Sequence, residues 1–126
     1  MNRSEFFRCI MDNPDEYFHR KEVRVWDKCE KRMRYNSLDL SGIAMYYIGI
    51  NDDRNRKIYE GDFIRVENIA DNRTVCEGVV VWNWRGEYVI LCKDGSEESL
   101  WEFTFSAYRI EVLGNIFEGI HDKNSD

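Results

Sequence analysis

From Glu22 to Phe117 the sequence keeps a period of two and interrupts it every few residues with a short polar turn. Alternation broken in this way builds antiparallel strands joined to their neighbours, and it leaves little room for a helical or α/β fold. Val23 and Val25 alternate with Arg24 and Trp26. Beyond the charged turn Asp27–Lys31, Met33-Arg34-Tyr35 reads as the hairpin partner. Ala44–Ile50 is the next strand, and Asn51–Lys57 is turn-like. Phe63–Ile69 alternates again, and Thr74–Trp84 is a long β-branched run. Glu87–Cys92 returns from Arg85-Gly86, and Leu100–Phe105 and Ile110–Phe117 complete the set. Asp94-Gly95 predicts a type I′ hairpin turn, because both residues tolerate positive φ. Five consecutive short strands predict a mainly β chain, a small closed or nearly closed antiparallel barrel. Val23, Val25, Ile64, Val66, Val79, Val81, Ile110 and Val112 take alternate strand positions and are predicted to be buried.

The first twenty residues follow another period. Ser4 reads as a helix cap, and Phe6, Phe7, Ile10 and Met11 form one apolar face. Asn13-Pro14-Asp15-Glu16 is a second helix start, with the proline at the first helical position. The domain reading is therefore a helical extension over 1–20, a β domain over 21–118 and a flexible polar tail over 119–126.

Net charge is -6 over 126 residues, but it is unevenly spread. Residues 19–35 carry seven basic and three acidic side chains, whereas residues 36–126 carry nine basic and seventeen acidic ones. An acidic chain is repelled by nucleic acid overall. The basic stretch with Arg20, Lys21 and Arg24 reads first as a solvated strand and turn of alternating charges, and in the sharper reading as an interaction edge toward an acidic partner. That partner is a second subunit or, less favoured, a phosphate backbone. No apolar run reaches the length of about 20 residues that a membrane span requires, and no apolar stretch of the signal-peptide kind follows Met1. A cytoplasmic location and no membrane partner are expected. Cys9, Cys29, Cys76 and Cys92 form no Cys-x-x-Cys pair, so reduced thiols and no bound metal are expected.

Catalytic groups are sparse. The two histidines, His19 and His121, lie at opposite ends of the chain. No nucleophile elbow, zinc-protease, phosphate-loop or dinucleotide signature is present. No enzymatic activity and no cofactor are expected. The aromatic residues carry more information. Trp82 and Trp84 share a strand face, Tyr88 sits across the turn from Trp84, and Trp101 shares a predicted face with Phe103 and Phe105. They read either as core with cross-strand pairs or as a partly exposed patch that docks a partner. Glu60-Gly61-Asp62 reads as a structural turn, with Gly61 at φ > 0 and Asp62 accepting backbone N–H bonds. Gly114-Asn115 reads as a bulge or a close backbone approach.

Three segments together resemble the phage YopX family. They are Lys21–Asp27 with Lys31-Arg32-Met33, then Tyr46–Asp52 with Ile58–Val66, and finally Tyr108–Glu118. The resemblance runs from about residue 20 to 118 and makes residues 1–19 an addition. It implies a phage or prophage protein with an SH3-like β-barrel portion, and it implies no established activity. Together with the residues it leads to an expected accessory protein in a bacterial host cell, a non-enzymatic protein–protein interaction module that self-associates. The alternative is a weak nucleic-acid-binding barrel using residues 20–34.

Overall fold

A computed structural model describes residues 2–12, 22–36 and 39–120. Among the described residues, one α-helix, α1 (Arg3–Asp12), precedes ten strands. They are β1 (Val23–Asp27), β2 (Arg32–Tyr35), β3 (Ile43–Asn51), β4 (Lys57–Tyr59), β5 (Asp62–Asn68), β6 (Thr74–Trp82), β7 (Tyr88–Leu91), β8 (Glu97–Ser99), β9 (Tyr108–Asn115) and β10 (Gly119–Ile120). The fold is mainly β, with two antiparallel sheets. One sheet has four strands in the order β2-β1-β3-β4, and the other has six in the order β10-β9-β5-β6-β7-β8. The six-stranded sheet curls into a half-barrel. Each sheet ends in two edge strands, so hydrogen bonding divides the structure into two sheets instead of one closed ring.

The hairpins share one turn chemistry. Asp52 and Asn83 each accept two backbone N–H bonds with Oδ1, from Arg54 and Arg56 and from Arg85 and Glu87. Each turn then closes through a left-handed residue, Asn55 or Gly86. A short side-chain acceptor at the start and a residue tolerant of positive φ at the end hold a tight loop between strands. The Asp94-Gly95 hairpin closes its backbone in the same way but takes its side-chain acceptor from Asp94, inside the turn, which accepts the Ser96 N–H, and it departs from type I′. Only Gly95 has a positive φ, and its N–H closes on the Cys92 carbonyl.

The core lies inside the curled sheet. Ile64 and Val66 of β5, Val80 of β6, Ile90 of β7 and Ile110 of β9 meet Ile48 of β3 and Ile58 of β4. Val25, Ile64, Val66 and Ile110 are buried as expected, whereas Val23, Val79, Val81 and Val112 are half-buried. On β6 the expected phase is inverted. Cys76 and Val80 point inward, because Val80 pairs with Ile90 on the concave face, while Val79 stands opposite Leu91 on the outer face. A run of three valines offers no polar partner to fix its phase. Replacing Val80 with alanine should therefore cost about 2 kcal/mol through lost burial and a residual cavity. Val81→Ala should cost clearly less. Urea midpoints of the two variants check the phase, and equal losses would contradict it.

Three further expectations are corrected. Leu100–Phe103 is a 3-10 helix, and the strand of this region is β8, which pairs with Val89–Leu91. Leu100 and Phe103 stand three residues apart, one 3-10 turn, so both reach the core while Trp101 points away. Gly119 and Ile120, expected in the free tail, pair with Asn115 and Gly114. The cap of α1 is Asn2, two residues before Ser4. Its Oδ1 accepts the Glu5 N–H at 2.8 Å while the Glu5 carboxylate reaches back to the Asn2 amide, a reciprocal capping box. The second helix start at Asn13-Pro14 lies outside the described residues, as do Arg20, Lys21 and residues 121–126.

Candidate functional site

Residues from all three sequence segments that resemble one family meet where the two sheets join. Arg24 leaves the middle of β1 on the face opposite Val25. Its Nη2 donates to Asp62 Oδ1 at 2.7 Å and to the Glu60 carbonyl at 3.1 Å. Arg24 is 3% exposed and Asp62 2%. The basic residue expected on an interaction edge is thus sealed inside the protein, because β1 is sandwiched and both of its faces are covered. The guanidinium lies 4.7 Å from the Tyr59 ring centroid. That contact accommodates its Nε, which is buried without a hydrogen-bond partner.

The turn Glu60-Gly61-Asp62 carries the acceptor. Gly61 has φ +85, and its N–H and carbonyl bond Val80 and Ile116, so one residue ties β6 to the end of β9. Asp62 Oδ2 accepts the Tyr59 N–H at 2.8 Å. Burial pushes the Asp62 carboxyl up, and the Arg24 guanidinium and the Tyr59 amide pull it back without cancelling the rise. Glu60 Oε1 accepts the Tyr46 N–H at 2.7 Å, while the Glu60 N–H donates to the Tyr46 carbonyl. Burial, with the Glu60 carboxylate beside it, pushes the Tyr88 hydroxyl up to about 12. Tyr88, a candidate for a surface patch, is accordingly a buried residue of the same network.

The closing segment completes the junction. A bulge interrupts the β5–β9 register between Phe63 and Ile64, opposite Gly114. A Cβ on Gly114 would stand 2.0 Å from the Gly119 carbonyl oxygen, so the chain can fold back into β10 only without a side chain there. Asn115 Oδ1 then accepts the N–H groups of Phe117 and Glu118. The hairpin places Phe117 on Trp26 of β1, with centroids 5.1 Å apart and planes within 10°. Arg24, Asp62 and Asn115, together with Tyr35, Arg56 and Lys57, line a cavity of about 270 Å3.

Each cation of this cavity has its own carboxylate. Arg24 pairs with Asp62, Arg56 with Asp52, and Lys57 with Glu22. Asp52, which the sequence offers only as one of two adjacent carboxylates that point apart, is a central residue. Its Oδ2 accepts Arg56 Nε and the Val112 N–H at 3.0 Å, which fastens the β3–β4 turn to β9. Its place at the end of the Tyr46–Asp52 segment is the sequence signal that points to this role. No pair of these groups has the form of a nucleophile beside a base. What the arrangement does chemically is hold two sheets together.

The remaining candidates with described side chains lie away from this junction, on the surface. Phe6, Phe7 and Ile10 fall in α1, where Phe7 and Met11 are 65% and 66% exposed. Trp82 ends β6 and Trp84 lies within the β6–β7 turn, 53% and 88% exposed, although Trp82 also packs edge-on against Tyr88. Arg85 lies over the Trp84 ring at 5.5 Å. Trp101 is half-exposed on the 3-10 helix. Among the described residues, no group of three His, Cys, Asp or Glu side chains is placed to hold a metal ion. Among them too, no helix is long and apolar enough to cross a membrane.

Fold and site define a two-sheet β protein whose signature residues join its sheets. The chain belongs to the YopX protein family, whose family model matches residues 19–120. No curated protein matches it significantly.

Proposed function

We propose that the protein is a non-enzymatic interaction module that self-associates, an accessory protein of a phage or prophage acting in the cytoplasm of its bacterial host. Its half-barrel, in this reading, is an SH3-like scaffold that presents surfaces and carries no reaction. One observation carries the proposal. The ten-residue helix α1 leaves Phe7 and Met11 about two-thirds exposed. A helix this short is marginal in water without tertiary packing, and an apolar face of this kind needs a cover. A second copy supplies one, since homo-oligomers with closed symmetry dominate among soluble assemblies.

The nucleic-acid alternative has less to rest on. Of the five basic residues in β1, β2 and their turn, Arg24 is sealed against Asp62, Arg32 pairs with Glu30, and Arg34 pairs with Asp27 and Asp39, while Lys28 and Lys31 are exposed in the turn. A cation already neutralised by a neighbour releases few counterions from a phosphate backbone.

Light scattering on the full chain should give a mass above that of one protomer. Phe7→Asp combined with Met11→Asp should reduce it to one protomer with the circular dichroism of the β domain unchanged. Deleting residues 1–19 should act in the same way. A full-length protein that stays monomeric at high concentration refutes the proposal. Salt-sensitive binding to DNA or RNA would favour the alternative.

A further inference from the structure

Cys76 and Cys92 are far apart in sequence and adjacent in space. Cys76 ends the inward face of β6, and Cys92 follows the last residue of β7. Their Sγ atoms stand 3.4 Å apart, within S–H···S contact. The pair of sheet neighbours before them is Val79 opposite Leu91, which sets Cys92 level with Gly78 and puts Cys76 on the diagonal. A diagonal pair in a regular sheet is ordinarily too wide for a disulfide. Gly78 removes that obstacle. A Cβ there would come within 2.3 Å of the Leu91 carbonyl oxygen and 2.8 Å of the Ile90 side chain, so the missing side chain lets β7 approach β6 closely.

The two thiols differ in access. Cys76 is buried in the core, whereas Cys92 is half-buried just past the end of β7. A small oxidant reaches Cys92 first. Burial, together with the hydrogen bond to Cys92, pushes the Cys76 thiol up to about 12, so Cys76 is not the thiol that reacts first.

We propose that Cys76 and Cys92 are an oxidisable dithiol that closes to an intramolecular disulfide in the presence of a peroxide. In the first step the Cys92 sulfur takes one oxygen from hydrogen peroxide, giving Cys92 sulfenic acid and one water. In the second step the Cys76 sulfur attacks the Cys92 sulfur. The S–S bond forms, the S–OH bond breaks, and the hydroxyl leaves as water with the Cys76 proton. Two thiols are oxidised and one peroxide is reduced to two waters. The product ties β6 to β7 across the edge half of the curled sheet and closes a loop between positions 16 apart in sequence. Such a loop restricts the unfolded chain and raises stability. This reading is independent of self-association.

The test uses the full chain with Cys9→Ser and Cys29→Ser, which removes the other two thiols. Hydrogen peroxide should lower the intact mass by two hydrogens. Both remaining thiols should then resist alkylation in denaturant, a reductant should restore them, and the urea midpoint should rise. Adding Cys76→Ser should abolish the two-hydrogen loss and let Cys92 run on to sulfinic acid, a gain of two oxygens. The proposal is overturned if the dithiol protein gains oxygen while Cys76 stays alkylatable. It also fails if the only disulfide links two chains, or if Cys92 remains reduced under peroxide that oxidises a free thiol.

Discussion

Asp62→Ala is expected to destabilise the protein by about 3–5 kcal/mol, because it leaves the Arg24 guanidinium buried without a counter-charge. The carboxylate and the guanidinium are both sealed from solvent, and Arg24 cannot discharge by losing its proton. The Tyr59 N–H would lose its acceptor as well. That effect is the cost of breaking the pair, which is a different quantity from the worth of having it. Burial raises the Asp62 carboxyl despite the adjacent guanidinium, so desolvation outweighs the attraction at this site. The double replacement Arg24→Met with Asp62→Leu should therefore recover most of the stability lost by Asp62→Ala. Urea midpoints of the three proteins decide the matter. If the double variant is as unstable as Asp62→Ala, the ion pair itself stabilises the junction and the desolvation argument is wrong.

The local fold was legible where each element carried its own signal. The β1–β2 hairpin follows from Val23, Val25 and the charged turn, and β5 follows from Ile64 and Val66 alternating with Phe63 and Arg65. A glycine between Glu60 and Asp62 at the entry to an alternating strand predicts positive φ, and Gly61 has it. Gly114 in a strand predicts a bulge or a close approach, and both are present. What failed depended on partners distant in sequence. Arg24 in an alternating strand reads as a surface charge until Asp62, in β5, is known to lie against it. Val79-Val80-Val81 gives no phase until β7 puts Ile90 opposite Val80. Leu100 and Phe103 fit a strand pattern only through the aromatics between and after them, whereas their spacing of three suits the 3-10 helix that forms. β4 is three residues long and lies in a polar stretch, too short for a periodic signal. The junction was visible only as separate turns, since sequence spacing says nothing about how β1, β5 and β9 converge.

Asp52 supplies the second large effect, and its carboxyl is shifted in the direction opposite to that of Asp62. Its side chain is fully buried, and four donors converge on its two oxygens: the N–H groups of Arg54, Arg56 and Val112 and the Nε of Arg56. Burial alone would raise this carboxyl. The amides of Val112 and Arg56 and the Arg56 guanidinium together outweigh it, and the group lies below its usual 3.8. A carboxyl whose folded value is lowered stabilises the folded state at pH above the unfolded value, and that contribution fades as pH falls toward and through the lower folded value. Asp52→Asn keeps the shape but replaces one acceptor oxygen with a donor amide, which faces other donors. It should cost about 2–4 kcal/mol at neutral pH, the loss of charged hydrogen bonds with at least one buried N–H left unsatisfied. The difference between parent and variant should shrink as pH falls below 3.8, where the unfolded parent binds its proton and the folded parent must follow. Urea unfolding of both proteins at neutral pH and at several acid pH values measures this. A stability gap that stays constant down to acid would mean that Asp52 acts through its two acceptor oxygens alone and that its charge contributes nothing to fastening β3 and β4 to β9.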